Sequence, residues 1–446
     1  MKSAPPLALA LALSACSAGG APPGAPGALP QTLHRTSSSP IQHVVFIIQE
    51  NRSFNNLFLG YPGATTQNYG YDTSGDKIAL QPISLATGWD IDHSSTSFFE
   101  DCDGTGSLPG TNCKMDGWNN ELAGLGAPKN FAYAYVPRSQ IKPYWDLARQ
   151  YVLADRLFTS NLDGSFISHQ YAVAAYASRT VDDPEAEWGC EGGRADTIPT
   201  FTAQRTLGKR IPACFDNPSI ASEADAAGVS WRFYSGSISG DGGIWSAYQA
   251  IKPIYHGADW NSDVINPPSQ FLTDVAAGTL AGITWITPTY ETSDHAGLNA
   301  SEGPAWVASV VNAIGTSQYW NSTAIFIIWD DWGGWFDPLG PTPVDYDGYG
   351  MRVPLLVVSA YAKQRYVTHV AYETASVDRF IEDTFGLSPL AAADARAADP
   401  AADTLDYGRK PRRFKKIGGS KPAAYWTRLD RASAKQGKPS AIIGDD

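Results

Sequence analysis

The stretch IQHVVFIIQENRSFNNLF, Ile41 to Phe58, constrains this chain more than any other. Its apolar, β-branched run Val44–Ile48 stops abruptly at Gln49, Glu50, Asn51, Arg52 and Ser53. A run this short and this apolar predicts a strand buried on both faces, as in the parallel sheets of α/β proteins. Open α/β sheets place their ligand sites at the carboxyl ends of such strands. Here that end delivers a carboxylate and an amide, two hard oxygen donors. The same pattern also fits a core strand followed by a polar helix cap, so the stretch alone leaves both readings open.

Comparable apolar runs recur at Gly282–Ile286, Thr323–Trp329 and Val353–Val358, with helical patterns at Pro143–Tyr151, Ala305–Ile314 and Ser376–Phe385. This alternation predicts an α/β fold with a mainly parallel central sheet and helices on both faces. Residues 60–130 and 180–260 are rich in Gly, Asp and Trp and weakly periodic. They read as long loop excursions over the active-site edge of the sheet, where selectivity resides. Trp89, Trp118, Trp188, Trp231 and Trp245 either staple these loops to the sheet or offer aromatic faces to a cationic ligand group.

The 446 residues suffice for one large α/β domain or two smaller ones. A formal net charge of −12 argues against a general nucleic-acid binder. The charge is uneven: residues 409–438 carry eleven Lys/Arg against one acid, Asp430. This basic tail reads as a solvated extension or as a contact with an anionic surface or substrate.

The N-terminus has the plan of an export signal: Lys2, then an apolar core from Pro5 to Leu13, too short to span a bilayer. It ends in Leu13-Ser14-Ala15-Cys16, which resembles the lipobox of bacterial lipoproteins and implies a lipid anchor at Cys16; an ordinary secretory signal is the alternative. The expected organisation is an export signal at 1–16, a flexible tether at 17–40, a catalytic domain at 41–390 and a C-terminal extension at 391–446. The expected location is periplasmic or cell-surface. Four cysteines then remain, and local pairing as Cys102–Cys113 and Cys190–Cys214 is expected among three possible arrangements.

Four polar clusters carry the candidate chemistry: Glu50-Asn51, Asp163-Gly164-Ser165 with His169 close behind, Asp294-His295, and Asp330-Asp331-Trp332-Gly333-Gly334. Adjacent carboxylates repel unless a cation lies between them. A hard divalent metal suits Glu50, Asn51, Asp330 and Asp331. Gly333 and Gly334 let the backbone turn sharply below such a site. Each cluster also has an ordinary reading as a cap, a turn or a surface hydrogen bond, and their co-occurrence at the ends of core elements favours function.

Together the clusters resemble the bacterial phosphoesterase family with phospholipase C and acid phosphatase members. The resemblance runs from Ile41 to about Lys416, through HVVFIIQENRSF, KMDGW, PYWDLARQYVLADRLFTS, DGSF, TWITPTYETSDH, IFIIWDDWGGWFD, GMRVPLLVVSAYA and SVDRFIEDTFGL. It implies an alkaline-phosphatase-like fold and a divalent metal ion of unspecified identity. Glu50, Asn51, Asp330 and Asp331 match the metal ligands, and Ser165 matches the hydroxyl nucleophile and a further ligand. His93 matches a phosphate-pocket histidine, and Asp294 and His295 a substrate-side pair. A metal-bound serine hydroxyl attacks phosphorus more readily than a free one, and a histidine, His295 or His93, protonates the leaving alcohol.

This chain departs from the family at several points. Asn55 stands where many members have Asp, Asp331 where many have Glu, and Pro338 follows Asp337 where many have His. Ile167-Ser168-His169 replaces a frequent Pro-Asn, so His169 either supplies an acid/base group or packs beside the site. Arg52 reads as a structural cation rather than a phosphate clamp. The expected function is hydrolysis of a phosphate ester, either a phospholipid headgroup ester or a soluble monoester. The alternatives are a non-catalytic envelope binding lipoprotein and a sulfate-ester hydrolase.

Overall fold

The computed structural model describes Met1, residues 39–240 and residues 242–433. The Cys16 lipobox and nearly all of the 17–40 tether lie outside these residues, as do Lys435 and Lys438 of the basic tail. The chain divides into Met1–Leu33 and a compact unit, His34–Asp446.

The core of that unit is a nine-stranded sheet. In chain order its strands are β1 (His43–Gln49), β2 (Val152–Phe158), β3 (Trp231–Tyr234), β4 (Val264–Ile265) and β5 (Ile283–Ile286). They continue with β6 (Thr323–Trp329), β7 (Arg352–Ser359), β8 (Tyr366–Thr368) and β9 (Tyr372–Glu373). The order across the sheet is β4-β3-β5-β1-β6-β7-β2-β8, with β9 also pairing β2. Every pairing is parallel except those of β7, which runs antiparallel to β6 and β2. The chain therefore passes from β6 to β7 at one edge without a crossover, and the segment 330–351 stays at that edge.

Strand parity decides which helices meet which face. Phe46, Trp285 and Phe326 are register partners on β1, β5 and β6. Phe326 packs on Phe380, and the Trp285 indole donates to the Ala172 carbonyl at 2.9 Å. These contacts place α2 (Ser165–Ala174) and α4 (Ala375–Phe385) on one face. Trp329, of opposite parity, meets Tyr144, so α1 (Lys142–Gln150) and its neighbour α3 (Gly303–Gly315) cover the other.

The expected strands and helices are present within a residue or two. β3 falls inside the stretch expected to be a loop excursion, and that expectation is corrected: its four residues WRFY are too few to show a period, yet they pair with β5. The 60–130 excursion has its own apolar cluster, including Ile91, Phe98, Trp118, Trp332 and Phe336. Trp118, Trp231 and Trp245 are buried, and Trp89 packs on Trp335, so these indoles hold structure together. The disulfides Cys102–Cys113 and Cys190–Cys214 are both formed. Beyond the last core helix, Leu405, Ile417 and Trp426 bury into the same core, Trp426 against Trp306.

Candidate active site

β1 and β6 lie side by side in register, Gln49 opposite Trp329. Glu50 has the parity of Phe46, and Asp330 that of Phe326. Both carboxylates therefore turn toward the α2 face, while Gln49 and Trp329 turn toward α1. The Asp330 amide donates to the Gln49 carbonyl at 2.9 Å, and the Asn51 amide donates to Asp330 Oδ1 at 2.9 Å. Asn51 has φ 57°, a left-handed conformation that Asn tolerates better than most residues.

The loop after β6 closes beneath these groups. The Gly333 amide donates to Asp331 Oδ1 at 2.7 Å, and the Arg52 amide to the Asp331 carbonyl at 3.1 Å. Gly333 has φ 60°, and a β-carbon there would stand 2.3 Å from the Asn51 carbonyl oxygen. Glycine is required on both counts.

α2 brings the hydroxyl. All ten of its residues are buried. Ser165 is at the helix start, its Oγ 3.5 Å from Glu50 Oε2 and 3.4 Å from Asp331 Oδ2. One turn on, His169 Nε2 lies 3.2 Å from Glu50 Oε1 and 3.7 Å from Asp330 Oδ2. Glu50, His169 and Asp330 present ligand atoms within 4.8 Å of one another. The i, i+4 spacing that puts His169 over Ser165 is legible in the sequence; that it meets Glu50 is not.

His93 adjoins the same site. Its Nδ1 donates to the Ile91 carbonyl at 2.7 Å, leaving Nε2 to accept the Asn51 side-chain amide at 2.7 Å. His295 packs edge-on to His93 at 6.0 Å between ring centroids. His295 Nδ1 lies 2.5 Å from the Ala296 carbonyl and 3.5 Å from Asp90 Oδ2. Asp90 went unnoticed in the sequence, where nothing local marks it.

Asp294 sits elsewhere. Its Oδ2 accepts the Tyr144 hydroxyl at 2.6 Å and the Trp329 indole at 3.1 Å, on the α1 face. Burial raises its carboxyl to about 6, against the pull of the Tyr144 hydroxyl and the Arg52 charge. Arg52 donates to the Asp294 carbonyl at 2.9 Å and the Leu85 carbonyl at 2.8 Å and lies over the Trp335 ring. Burial lowers its guanidinium to about 10, while Asp294 and Asp90 act in the other direction.

The site suits a hard cation. Asn51 Oδ1 and Asp330 Oδ2 are buried oxygens with no hydrogen-bond partner among the described residues. Such atoms are costly unless an ion or water meets them. Carboxylate and amide oxygens with one imidazole form a donor set for a divalent metal.

A family model described as the Phosphoesterase family matches residues 41–388. Phospholipase C B of Mycobacterium tuberculosis is 24% identical over 469 residues, covering 91% of this chain and 84% of that protein. Hemolytic phospholipase C of Pseudomonas aeruginosa is 23% identical over 439 residues, covering 82% of this chain and 57% of its own. A solved structure of a protein in the alkaline phosphatase superfamily from Vibrio parahaemolyticus aligns over 78% of this chain and 67% of its own, at 10% identity and a TM-score of 0.36. The chain belongs to the Phosphoesterase family, and with it to the hydrolases of phosphoric esters.

Proposed function

We propose that the chain is an exported, metal-dependent phosphoesterase in which Ser165 attacks phosphorus. The observation that carries this reading is the placement of the Ser165 hydroxyl at the start of α2, within 3.5 Å of both Glu50 and Asp331. Glu50, Asn51, Asp330 and Asp331 would hold the divalent ion, with His169 beside them. When bound there, the ion supplies positive charge that favours the serine alkoxide and neutralises a phosphoryl oxygen.

The chain's own residues do the rest. The amino end of α2 favours the phosphate anion. Ser165 Oγ, its proton passed to the Asp331 carboxylate 3.4 Å away, forms a bond to phosphorus as the ester P–O bond breaks, leaving a phosphoserine and an alkoxide. His295, edge-on to His93 with Asp90 Oδ2 3.5 Å from its Nδ1, is the group placed to give the leaving oxygen a proton and then take one from water, while His93 Nε2 accepts from Asn51 and holds that side chain. Asp294, on the other face, positions rather than reacts: it orients Tyr144 and Trp329 beneath the strand ends.

The departures that favour a non-catalytic reading have structural uses here. Asn55 Oδ1 accepts the Gln67 amide at 2.9 Å while its Nδ2 donates to the Gln67 carbonyl at 3.0 Å. An aspartate would lack that donor. Asp337 pairs with buried Arg352, with no need of a following histidine. The phospholipase C relatives support a phospholipid headgroup ester as substrate, and a soluble monoester fits the same chemistry.

Turnover of aryl phosphate, aryl phosphocholine and aryl sulfate by the full chain tests the reading, with divalent metals added singly after chelation. Metal-restored turnover of a phosphate ester is expected. Ser165→Ala should lower it about a thousandfold or more with an unchanged circular dichroism spectrum, and acid quenching should trap phosphate on Ser165. Inactivity on every ester from acid to alkaline pH would sink the hydrolase reading. Full activity in Ser165→Ala would sink the nucleophile.

A further inference from the structure

A second charged surface lies at the opposite end of the sheet, built largely by a segment past the residues the family model matches. The segment 409–418 is fastened there. The Arg412 amide donates to the Ala360 carbonyl at 3.0 Å, and the Trp320 indole to the Arg412 carbonyl at 2.6 Å. Phe414 packs on Trp320 at 4.9 Å between centroids. Asn312 brackets Ile417, accepting its amide at 2.8 Å and donating to its carbonyl at 2.9 Å. These bonds turn what the sequence offers as a basic tail into a fixed rim.

Adjoining depressions of about 500 and 570 Å³ share Lys416 and run on through Arg412, Arg413 and Lys415 into smaller ones. Lys142, Arg149 and Arg365 face them from the other wall. Asp146 is the one acid among these lining residues, and it is already paired with Lys142 and Arg149. Arg413, Lys415 and Lys416 are exposed.

The position of the rim matters as much as its charge. Gln150 and Asn321 precede β2 and β6, and Ala360 follows β7, which puts that part of the rim at the amino edge of the parallel strands. β1 spans seven residues, so this edge lies roughly 20 Å from Glu50 and Asp330. The chain also enters the fold here: Ser39, four residues before β1, hydrogen-bonds the Tyr407 side chain.

We propose that this basic edge is a docking surface for an anionic lipid bilayer, which holds the molecule with its catalytic edge turned away from that membrane. Exposed cations spread across adjoining shallow depressions suit a sheet of headgroups. A single-stranded polyanion of bases would want free aromatic faces, and Phe414 and Trp320 are occupied with each other. Substrate then reaches Ser165 from the side away from that membrane, as a soluble ester or as a headgroup of an apposed bilayer. The proposal stands whether or not the catalytic reading holds.

The test is co-sedimentation of the full chain carrying Cys16→Ser, so that no acyl chain contributes. The vesicles are phosphatidylcholine with or without phosphatidylglycerol, in chelator so that hydrolysis does not alter them. Binding to the anionic vesicles should be at least about tenfold stronger, at about fivefold per engaged charge, and should fall with salt. Arg413→Glu/Lys415→Glu/Lys416→Glu should abolish the preference with an unchanged thermal melt, and Lys142→Glu/Arg365→Glu on the other wall should weaken it. Equal binding to neutral vesicles, or an unaffected triple variant, would overturn the proposal. So would tighter binding to double-stranded DNA than to the anionic vesicles.

Discussion

At Gly333 a single hydrogen atom decides whether the loop after β6 can close. Its φ of 60° and the 2.3 Å that a β-carbon would leave to the Asn51 carbonyl make two separate costs. Gly333→Ala is therefore expected to destabilise the protein by about 2–4 kcal/mol, read as a shift in the denaturant midpoint at unchanged slope. The glycine pair is legible in the sequence because a backbone turn is a local demand. His169 shows the limit of that reading. Its spacing from Ser165 is local, but its 3.2 Å approach to Glu50 spans 119 residues of chain, and only packing of α2 on the sheet creates it. Asp294 shows the converse: beside His295 in the sequence, it serves the opposite face.

At the scale of elements, the site is a meeting of two strand ends and one helix start, and each is pinned from outside. Tyr171 on α2 donates to Asp347 at 2.5 Å. The loop that follows β6 is tied through Asp337 to Arg352 at the head of β7, with contacts of 2.9 and 3.0 Å and both residues fully buried. Arg352 also donates to the Thr65 and Asp155 carbonyls, so one guanidinium joins the 60–130 excursion to the sheet. Arg352→Met would strand a buried carboxylate and should cost about 3–5 kcal/mol. Adding Asp337→Asn should recover part of that loss, measured as a coupling energy between the two changes. The strands β1 and β6 are plain in the sequence because long apolar runs have few alternatives. β3 is not, since its four residues acquire strand character from β5.

For the whole molecule, burial of acids makes stability depend on pH. Burial raises the Asp347 carboxyl to about 7, against the Tyr171 hydroxyl. Burial likewise raises Asp101 and Glu121, which face each other. A carboxyl whose folded value exceeds its unfolded one contributes stability that is complete below about pH 4 and is lost as pH rises through the folded value. The thermal midpoint should therefore be higher near pH 5 than near pH 8, and Asp347→Asn should reduce the difference. A midpoint that climbs steadily over that range would contradict the burial argument. At this scale the chain's net charge of −12 also proves a poor guide to its surface, because a cluster of exposed cations lies at one edge of the sheet and the buried Glu50, Asp330 and Asp331 carboxylates at the other. The sequence by itself determined the α/β architecture, the strand ends that carry Glu50 and Asp330 and the glycine turn, since each follows from residues close along the chain. Tertiary structure alone decided that His169 joins the carboxylates, that Asp294 turns away from them and that the basic segment is a fixed rim. Those outcomes depend on which distant elements pack together, and strand parity and helix position are shared properties that no single segment carries.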